Sequence, residues 1–531
     1  MALSRFALLA MMAAVGMSAG ALPVQAQKQG GTLRIYHRDN PPSASVHEES
    51  TVSTNLPFMA VYNNLVIYDQ TKPINSVETI VPDLAESWAW DATNTKLTFK
   101  LRQGVKWHDG QPFTAKDVKC TWDKLTGKDK DSFRKNPRQI WYQNLTEIAV
   151  NGDYEATFVL GRPQPAMLAM LASGYSPVYP CHVSSRDMRT KPVGTGPFKF
   201  AEFKQNESIL LKRNPDYFKP GKPYVDAVEM RIIPNRSTRI LAFQAGEFDM
   251  TFSQDITIPL LKDMKSQAPK ATCDITPQYV HRNLMVNREV APFNDPKLRR
   301  ALALAIDRQT FIDILTEGKG NLGVNMLPPP EGQWGMPPEE LAKMAGYSNL
   351  QANREEAKKI MTELGYSADK PLKVKVSTRN IAIYRDPGVL LIDQLKQIFV
   401  DAELEVVDTT IWHAKAARKD YTLGMNLTGM SVDDPDPVFY ENYACKSERN
   451  YTQYCNADVD KMIDQQSQEV DKEKRRKLVW AIEQKLHDDL ARPVIYHPRD
   501  ATCWHPHVKG FVQHSNSIYN NWRLEDVWLE K

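Results

Sequence analysis

The stretch "VPDLAESWAWDATNTKLTFKLRQGVKWHDGQPFTAKDV", residues 81–118, carries the clearest structural signals in this chain. Leu97, Phe99 and Leu101 alternate with polar residues, which predicts a strand that is buried on one face. Turn-forming residues follow, and Thr114 with Asp117 three residues later has the pattern of a capping box at the start of a helix. The stretch therefore predicts a hairpin followed by a capped helix, and it contains no catalytic constellation.

Outward from this stretch, strand and helix patterns alternate. "GGTLRIYHRDN" predicts a short strand that ends at a polar loop, and the residues around Met230 predict a strand, a helix and a further strand. Farther along, Asp295 and Pro296 mark the start of an amphipathic helix. This alternation is typical of open α/β sheets, and 531 residues exceed what one hydrophobic core holds, so we expect two to four domains.

The composition is that of an ordinary soluble globular protein, with 42% hydrophobic and 25% charged residues. The net charge of +3 is small and mixed, which argues against nucleic acid as a partner. Residues 1–26 combine Arg5, an apolar run and a small-residue cleavage site, and predict a secretory signal peptide. The alternative, a membrane anchor, is disfavoured because the apolar run is short. No cysteine near the cleavage site could carry a lipid, so we expect a free, exported protein that begins near Gln27.

The six cysteines fit an exported protein. Cys445 and Cys455 enclose nine polar, turn-like residues, which predicts a local disulfide. The pairing of the remaining four stays open: Cys120, Cys181, Cys273 and Cys503. No CxxC occurs, so neither a zinc ribbon nor a thioredoxin-type redox centre is indicated.

The glycines of "KPVGTGPFKFAEF", residues 191–203, resemble a phosphate-binding loop at first sight. Such loops precede a helix, whereas here Phe198 and Phe200 alternate with polar or small residues, as in a strand. We therefore interpret Gly194 and Gly196 as a tight crossing of the chain before a strand, where glycine supplies backbone freedom.

Taken together, these passages resemble family 5 of the extracellular solute-binding proteins, the peptide-type ABC importer receptors that include dipeptide, oligopeptide and nickel binders. Residues 81–118, "PVGTGPFKFAEF", "NPDYFKPGKPYVDAVEMRII", "PFNDPKLRRALALAIDR" and "REEAKKIMTELGY" follow one another in the family's order. The resemblance covers nearly the whole chain after the signal peptide.

The resemblance implies an α/β architecture of the type II periplasmic binding protein kind, with two lobes around a hinge and a small inserted domain. Lobe I would comprise residues 27–69, 192–279 and 493–531, and the inserted domain residues 70–191. Lobe II would span residues 280–492. The hinge would form where the chain crosses between lobes, at residues 279–282 and 492–496.

The resemblance also implies a function. A monomeric periplasmic receptor would enclose a small peptide or peptide-like solute and deliver it to an ABC permease in the inner membrane, without a cofactor. Receptors for a nickel chelate, an opine or an oligosaccharide are the alternatives. A secreted hydrolase is disfavoured because neither Gly-x-Ser-x-Gly nor His-Glu-x-x-His occurs.

Two motifs of lobe II match positions that contact ligand in the family. Trp412 falls where dipeptide-binding relatives place a tryptophan against the ligand; the alternative is a core residue. The relatives also hold an ammonium-binding acid just after a Thr-Gly pair, but Met430 and Ser431 occupy that place here. Asp433 is the candidate replacement, because Asp434 and Asp436 have the pattern of turn formers.

Tyr36, His37 and Arg38 end the first strand of lobe I and are predicted to point toward the cleft. Arg38 is expected either to bind a ligand carboxylate or to form a salt bridge between the lobes. "TCWHPHVKG", residues 502–510, contains soft and imidazole side chains, but Pro506 breaks a regular strand, and no metal site is predicted.

Overall fold

The computed structural model describes residues 27–129, 134–277 and 279–530. The predicted signal peptide, residues 1–26, lies outside this range. Within the described residues, no helix is both long and apolar enough to span a bilayer.

The chain alternates strands and helices along its whole described length. The strands are β1 (Thr32–His37), β2 (Val66–Tyr68), β3 (Ile80–Pro82), β4 (Ala85–Trp90), β5 (Lys96–Leu101), β6 (Leu145–Val150), β7 (Glu155–Leu160), β8 (Phe198–Lys204), β9 (Ser208–Arg213), β10 (Ala227–Ile232), β11 (Ile256–Thr257), β12 (Thr272–Pro277), β13 (Val280–Val286), β14 (Leu372–Arg379), β15 (Val400–Val407), β16 (Leu423–Gly429), β17 (Val494–Tyr496), β18 (Arg499–Trp504), β19 (Val508–Lys509) and β20 (Trp528–Leu529). The α-helices are α1 (Val52–Phe58), α2 (Ala115–Leu125), α3 (Met167–Ala172), α4 (Ser185–Met188), α5 (Arg236–Gln244), α6 (Ile258–Gln267), α7 (Pro296–Leu304), α8 (Arg308–Thr316), α9 (Pro338–Leu341), α10 (Leu350–Glu363), α11 (Ala382–Lys396), α12 (Thr409–Ala417), α13 (Pro435–Tyr443), α14 (Ala457–Gln468) and α15 (Lys472–Asp488).

Three larger sheets organise the described part of the chain. Lobe I contains a sheet of order β1-β10-β9-β8, in which β1 runs parallel to β10, beside the smaller sheet β11-β18-β12. The inserted domain is built on the antiparallel sheet β4-β5-β7-β6, and lobe II on the five-stranded sheet β15-β14-β16-β13-β17. Each lobe has its own hydrophobic core, as the two-lobed interpretation requires.

The hairpin and capped helix of residues 81–118 are present as predicted. Leu97, Phe99 and Leu101 of β5 are buried. Thr114 and Asp117 form the capping box of α2, since each side chain accepts a hydrogen bond from the backbone N–H of the other residue. The inserted domain therefore takes its shape from local sequence signals.

The glycine crossing is also confirmed, but for a different reason than backbone freedom. Gly196 donates its N–H to the carbonyl of Val61 at 2.9 Å. A Cβ at Gly194 or at Gly196 would overlap the backbone of Val61. These glycines are therefore required by the close approach of two chain segments, and β8 follows them directly.

The chain crosses between the lobes twice. β12 of lobe I ends at Pro277 and β13 of lobe II begins at Val280. The return crossing falls between Tyr496 and Arg499, because β17 pairs with β13 in the lobe II sheet. The predicted boundary at 493 is therefore corrected to this point, and the predicted return hinge at 492–496 lies within lobe II. His281 and His497 meet edge to face where the crossings lie side by side.

Two disulfides join four of the six cysteines. Cys445 and Cys455 are bridged as predicted. Cys273 and Cys503 connect β12 with β18 in lobe I, a pairing that the sequence left open. The remaining thiols, Cys120 and Cys181, are free.

Candidate ligand-binding cleft

A narrow cleft separates the two lobes, and both contribute side chains to its wall. The cavity between the two walls is small, about 30 Å³. The lining residues are Arg38, Ser50, Thr51, Val52, Ser253, Gln254, Ile518 and Tyr519 of lobe I, and Val280, Arg379, Ile383, Tyr384, His413, Leu427 and Arg449 of lobe II. Among the described residues of this lining, arginine supplies three side chains, and neither Asp nor Glu occurs.

A buried ion pair crosses the cleft beside its lining. The Arg379 guanidinium, at the end of β14, lies 2.7 Å from the Asp39 carboxylate of lobe I, and both side chains are buried. Arg379 also donates to the Tyr384 hydroxyl at 2.7 Å and to Thr409 at 2.9 Å. Burial raises the pKa of Asp39, but Arg379 and other cations outweigh it and bring the pKa to about 2. Asp39 is therefore a carboxylate that ties lobe I to lobe II.

Arg38, the preceding residue, has no such partner. Its side chain is 4% exposed and its guanidinium lies 4.4 Å above the ring of Phe252. Among the described residues, none pairs with Arg38 as an anion, and its Nε has no hydrogen-bond acceptor. The nearby carboxylates form ion pairs with other arginines, Asp39 with Arg379 and Asp255 with Arg239. The salt bridge between lobes that was one expectation for Arg38 is therefore made by Asp39 instead.

A second group of cations lies on the lobe II side. Arg449 pairs with Glu441, and Arg138 of the inserted domain reaches the same carboxylate at 4.0 Å. Arg138 also stacks on Tyr175, 3.3 Å from the ring centroid, and Trp141 donates its indole N–H to Glu441 at 3.0 Å. A single buried carboxylate thus balances two guanidinium groups.

Several neutral groups of the cleft wall also lack partners. The Nε2 of His413, the hydroxyl of Ser253 and the Oε1 of Gln254 are buried without a hydrogen bond among the described residues. Burial, reinforced by Arg379 and Arg449, lowers the pKa of His413 well below its ordinary value, so the imidazole is neutral near pH 7. Water or a solute in the cleft can supply the missing partners of these groups.

Tyr36, His37 and Arg38, which were predicted to point toward the cleft, lie in different surroundings. Tyr36 donates to Asp255 at 3.1 Å inside lobe I, and His37 contacts the carbonyl of Ser53 at 3.0 Å. Neither side chain lines the cleft, so both belong to the core of lobe I. Only Arg38 of the three reaches the cleft.

Trp412 lies in the hydrophobic core, which was the alternative to a position against the ligand. It is fully buried in a hydrophobic cluster with Met285, Val407 and Tyr421, and it does not line the cleft. The adjacent His413 faces the cleft instead, because the next position along α12 points about 100° away.

The residues directly after β16 make contacts within the protein and do not line the cleft. Met430 packs in a hydrophobic cluster of lobe II, and the carbonyl of Ser431 accepts from Asn520 at 2.9 Å. Asp434 and Asp436 both accept from Arg475, and instead of forming a turn Asp434 caps α13 and Asp436 lies in its first turn. Asp433 lies outside the cleft lining, next to Gln333.

Asp433 is nevertheless unusual. Its Oδ1 has no partner among the described residues, and burial raises its pKa to about 7. No cation pairs with it in the part of the chain that the structure describes, so it is a buried acid without a counterion.

The histidines of "TCWHPHVKG" are used internally. Cys503 is disulfide-bonded, His505 contacts the carbonyl of Phe243 at 2.9 Å, and His507 contacts Asp249 at 2.7 Å. Across the described residues, no group of three or more His, Cys, Asp or Glu side chains has the arrangement of a metal site.

Sequence reasoning missed Asp39, Arg379, His413 and Arg449. The signals were present only in part: Asp39 stands in the polar loop "HRDN", and His413 adjoins the tryptophan that was singled out. Arg379 and Asp39 are separated by 340 positions, so no local pattern relates them.

Comparisons with known proteins identify the family of the chain. The sequence profile described as "Bacterial extracellular solute-binding proteins, family 5 Middle" matches residues 79–450. The oligopeptide-binding protein AppA of Bacillus subtilis is 27% identical, over 95% of this chain and 92% of its own length.

Solved structures share the fold. The periplasmic binding protein DppA of Helicobacter pylori, in complex with the peptide STSA, superposes with a TM-score of 0.82 at 22% identity, covering 95% of this chain and 99% of that one. The binding protein AgaA from A. tumefacien R10, in complex with agropinic acid, gives a TM-score of 0.82 at 22% identity, covering 94% and 99%.

Proposed function

The chain belongs to family 5 of the bacterial extracellular solute-binding proteins, and from this membership we propose that it is the receptor subunit of an ABC importer. It captures a small peptide or peptide-sized solute between lobe I and lobe II. It then presents the closed complex to a permease in the inner membrane. The proposal includes export to the periplasm through the signal peptide of residues 1–26, no lipid anchor and a monomeric state.

The cleft between the lobes is the observation that carries the proposal. Its wall combines side chains from both lobes, and the only segments that connect the lobes in the described chain are the two crossings near Val280 and His497. Two rigid bodies on such a hinge open and close with little change inside either body. A solute that contacts both walls adds binding energy only in the closed state and so shifts the population toward closure.

The fold class supports the same conclusion. The α/β architecture, with two lobes and a small inserted domain, is the type II periplasmic binding protein fold of the structural relatives. The named solutes of these relatives, a tetrapeptide and agropinic acid, differ in chemistry, so the fold alone does not choose between a peptide and an opine.

A thermal-stability screen tests the proposal. Short peptides, opines, oligosaccharides and nickel chelates are each added to dialysed protein, and the melting temperature is followed with concentration. Binding to the native state alone stabilises a protein by about 2.7 kcal/mol at one hundred times Kd. We expect one class to raise the melting temperature in this saturable manner. The absence of a saturable shift with all four classes would contradict the receptor function.

A further inference from the structure

We propose that the solute is a small anion with two acid groups, and that one of these groups binds at Arg38. The proposal rests on the receptor function given above and names the solute class of the same cleft. It departs from the expectation of a peptide held by its free ammonium group.

The balance of charge around the cleft is the first step. Four buried guanidinium groups surround it, on Arg38, Arg138, Arg379 and Arg449, whereas two carboxylates, Asp39 and Glu441, are bound to them. Asp39 neutralises Arg379, and Glu441 is shared between Arg138 and Arg449. Counted over these six side chains, the guanidinium groups outnumber the carboxylates by about two, and buried charge is costly unless it is paired.

The position of that surplus is the second step. One excess charge is at Arg38 on lobe I, and the other is at the Arg138 and Arg449 pair on the opposite side. A planar guanidinium binds a carboxylate through two parallel hydrogen bonds, and Arg38 has the free Nε that this geometry uses. Two acid groups separated across a small solute would satisfy both sides, and they would draw the lobes together.

The third step is the lack of a site for an ammonium group. A buried ammonium needs a carboxylate, and the described residues of the lining include neither Asp nor Glu. The nearest candidate by sequence, Asp433, lies away from the lining beside Gln333 and Trp334. The neutral His413 and Gln254 can instead bind polar groups of the solute between its acids.

Size limits the solute further. The cleft keeps a cavity of only about 30 Å³, so the lobes must part to admit a solute, and a compact solute requires the least opening. The inference therefore points to a small dicarboxylate, or to a compound that carries one carboxylate and a second acid group.

Isothermal titration calorimetry with three matched probes tests the inference. N-acetyl-alanyl-glutamate carries two carboxylates and no ammonium, alanyl-alanine is a zwitterion, and lysyl-alanine has a net positive charge. We expect the dianion to bind at least about tenfold more tightly than the zwitterion, with lysyl-alanine the weakest of the three. Preference for either of the other probes would overturn the inference while leaving the receptor function intact.

Variants locate the effect. Arg38→Gln is expected to weaken binding of N-acetyl-alanyl-glutamate by about tenfold or more, whereas Arg231→Gln, an exposed arginine on β10, and Asp433→Asn leave it unchanged. Loss of binding in Asp433→Asn with no change in Arg38→Gln would assign an ammonium site and overturn the inference. If none of the probes binds at millimolar concentration, the inference fails, and the thermal screen then decides the receptor function separately.

The melting temperature of Arg38→Gln without solute gives a second test. Because Arg38 is buried without an anion, Arg38→Gln in dialysed protein is expected to melt at the same temperature as the wild type or higher. A clearly lower melting temperature would mean that Arg38 is a structural residue, and it would contradict the assignment of this charge to the solute.

Discussion

Three consecutive residues, His37, Arg38 and Asp39, illustrate what a single position contributes to this protein. His37 is buried in the core of lobe I, Arg38 faces the cleft without a partner, and Asp39 binds Arg379 of lobe II. The sequence identified a polar strand end at this place. It did not assign the three roles, because each depends on a residue that is distant in sequence.

Asp39→Asn is predicted to destabilise the closed, folded protein. The amide cannot neutralise Arg379, and an unpaired buried guanidinium typically costs about 3–5 kcal/mol. The free energy of unfolding in urea measures this, with Asp123→Asn, in a surface pair with Lys119, as the control that changes little. Equal effects of the two substitutions would contradict the role of Asp39.

The same ion pair predicts a pH dependence. Because the folded pKa of Asp39 is depressed to about 2, its contribution is complete above the ordinary aspartate value near pH 4 and is lost as the pH falls toward 2. The difference in melting temperature between wild type and Asp39→Asn should shrink over that interval. A difference that stays constant from pH 5 to pH 2 would show that Asp39 is not ionised in the fold.

Trp412→Ala is predicted to act on stability. Removing a fully buried tryptophan from a packed cluster costs about 3–5 kcal/mol. The neighbouring Ile411 is 56% exposed, so Ile411→Ala is a matched control that should change the free energy of unfolding little. Weaker solute binding by Trp412→Ala without any loss of stability would instead support the aromatic wall that the family resemblance implies.

Asp433→Asn is predicted to stabilise the protein at alkaline pH. Since burial raises the pKa of Asp433 to about 7, the wild type loses stability as the pH rises from about 4 through 7, and the amide variant does not. At pH 8 the variant should be more stable by roughly 2–4 kcal/mol. Melting curves at pH 4 and pH 8 give this comparison, and Asp216→Asn on the surface is the control.

At the scale of single elements, the sequence predicted those set by local chemistry. The capping box at Thr114 and Asp117 starts α2, and Asp295 with Pro296 starts α7, because the first turn of a helix is stabilised by its own neighbours. The assignment of β17 to lobe I was wrong, since its place is set by pairing with β13, more than two hundred residues earlier. Long-range pairing leaves no local pattern to find.

The two disulfides show the same difference between features set by neighbouring residues and features set by long-range pairing. The bridge between Cys445 and Cys455 was predictable because its loop is short, whereas that between Cys273 and Cys503 depends on the pairing of β12 with β18. Alkylation of denatured, unreduced protein is expected to label Cys120 and Cys181 alone. A label on any other cysteine, found by peptide mass spectrometry, would contradict the corresponding bridge.

Removal of the local bridge gives a stability prediction. In the chain-entropy account, closing a loop of this length stabilises the fold by about 3 kcal/mol. The variant Cys445→Ser/Cys455→Ser should lose that amount of unfolding free energy, while Cys120→Ser/Cys181→Ser, which breaks no bridge, should lose much less. The opposite order would contradict the bridge assignment.

At the scale of the whole molecule, two lobes, an inserted domain and two crossings place one cleft between opposing walls. This architecture was predictable because its motifs follow in the family's order along nearly the whole chain. The wall of the cleft was not predictable, since its charge is the sum of arginines and acids from three separate parts of the sequence. Family membership therefore supports the proposed opening and closing of the lobes, and the proposed solute class depends on the side chains of the cleft.

Native mass spectrometry on protein recovered gently from the periplasm tests the central claim most directly. The wild type should carry a small molecule that is released on denaturation, and Ser253→Trp, which fills the lobe I wall of the cleft, should lack it. A wild type without bound mass, or a mass that Ser253→Trp retains in full, would contradict capture of a solute between the two lobes.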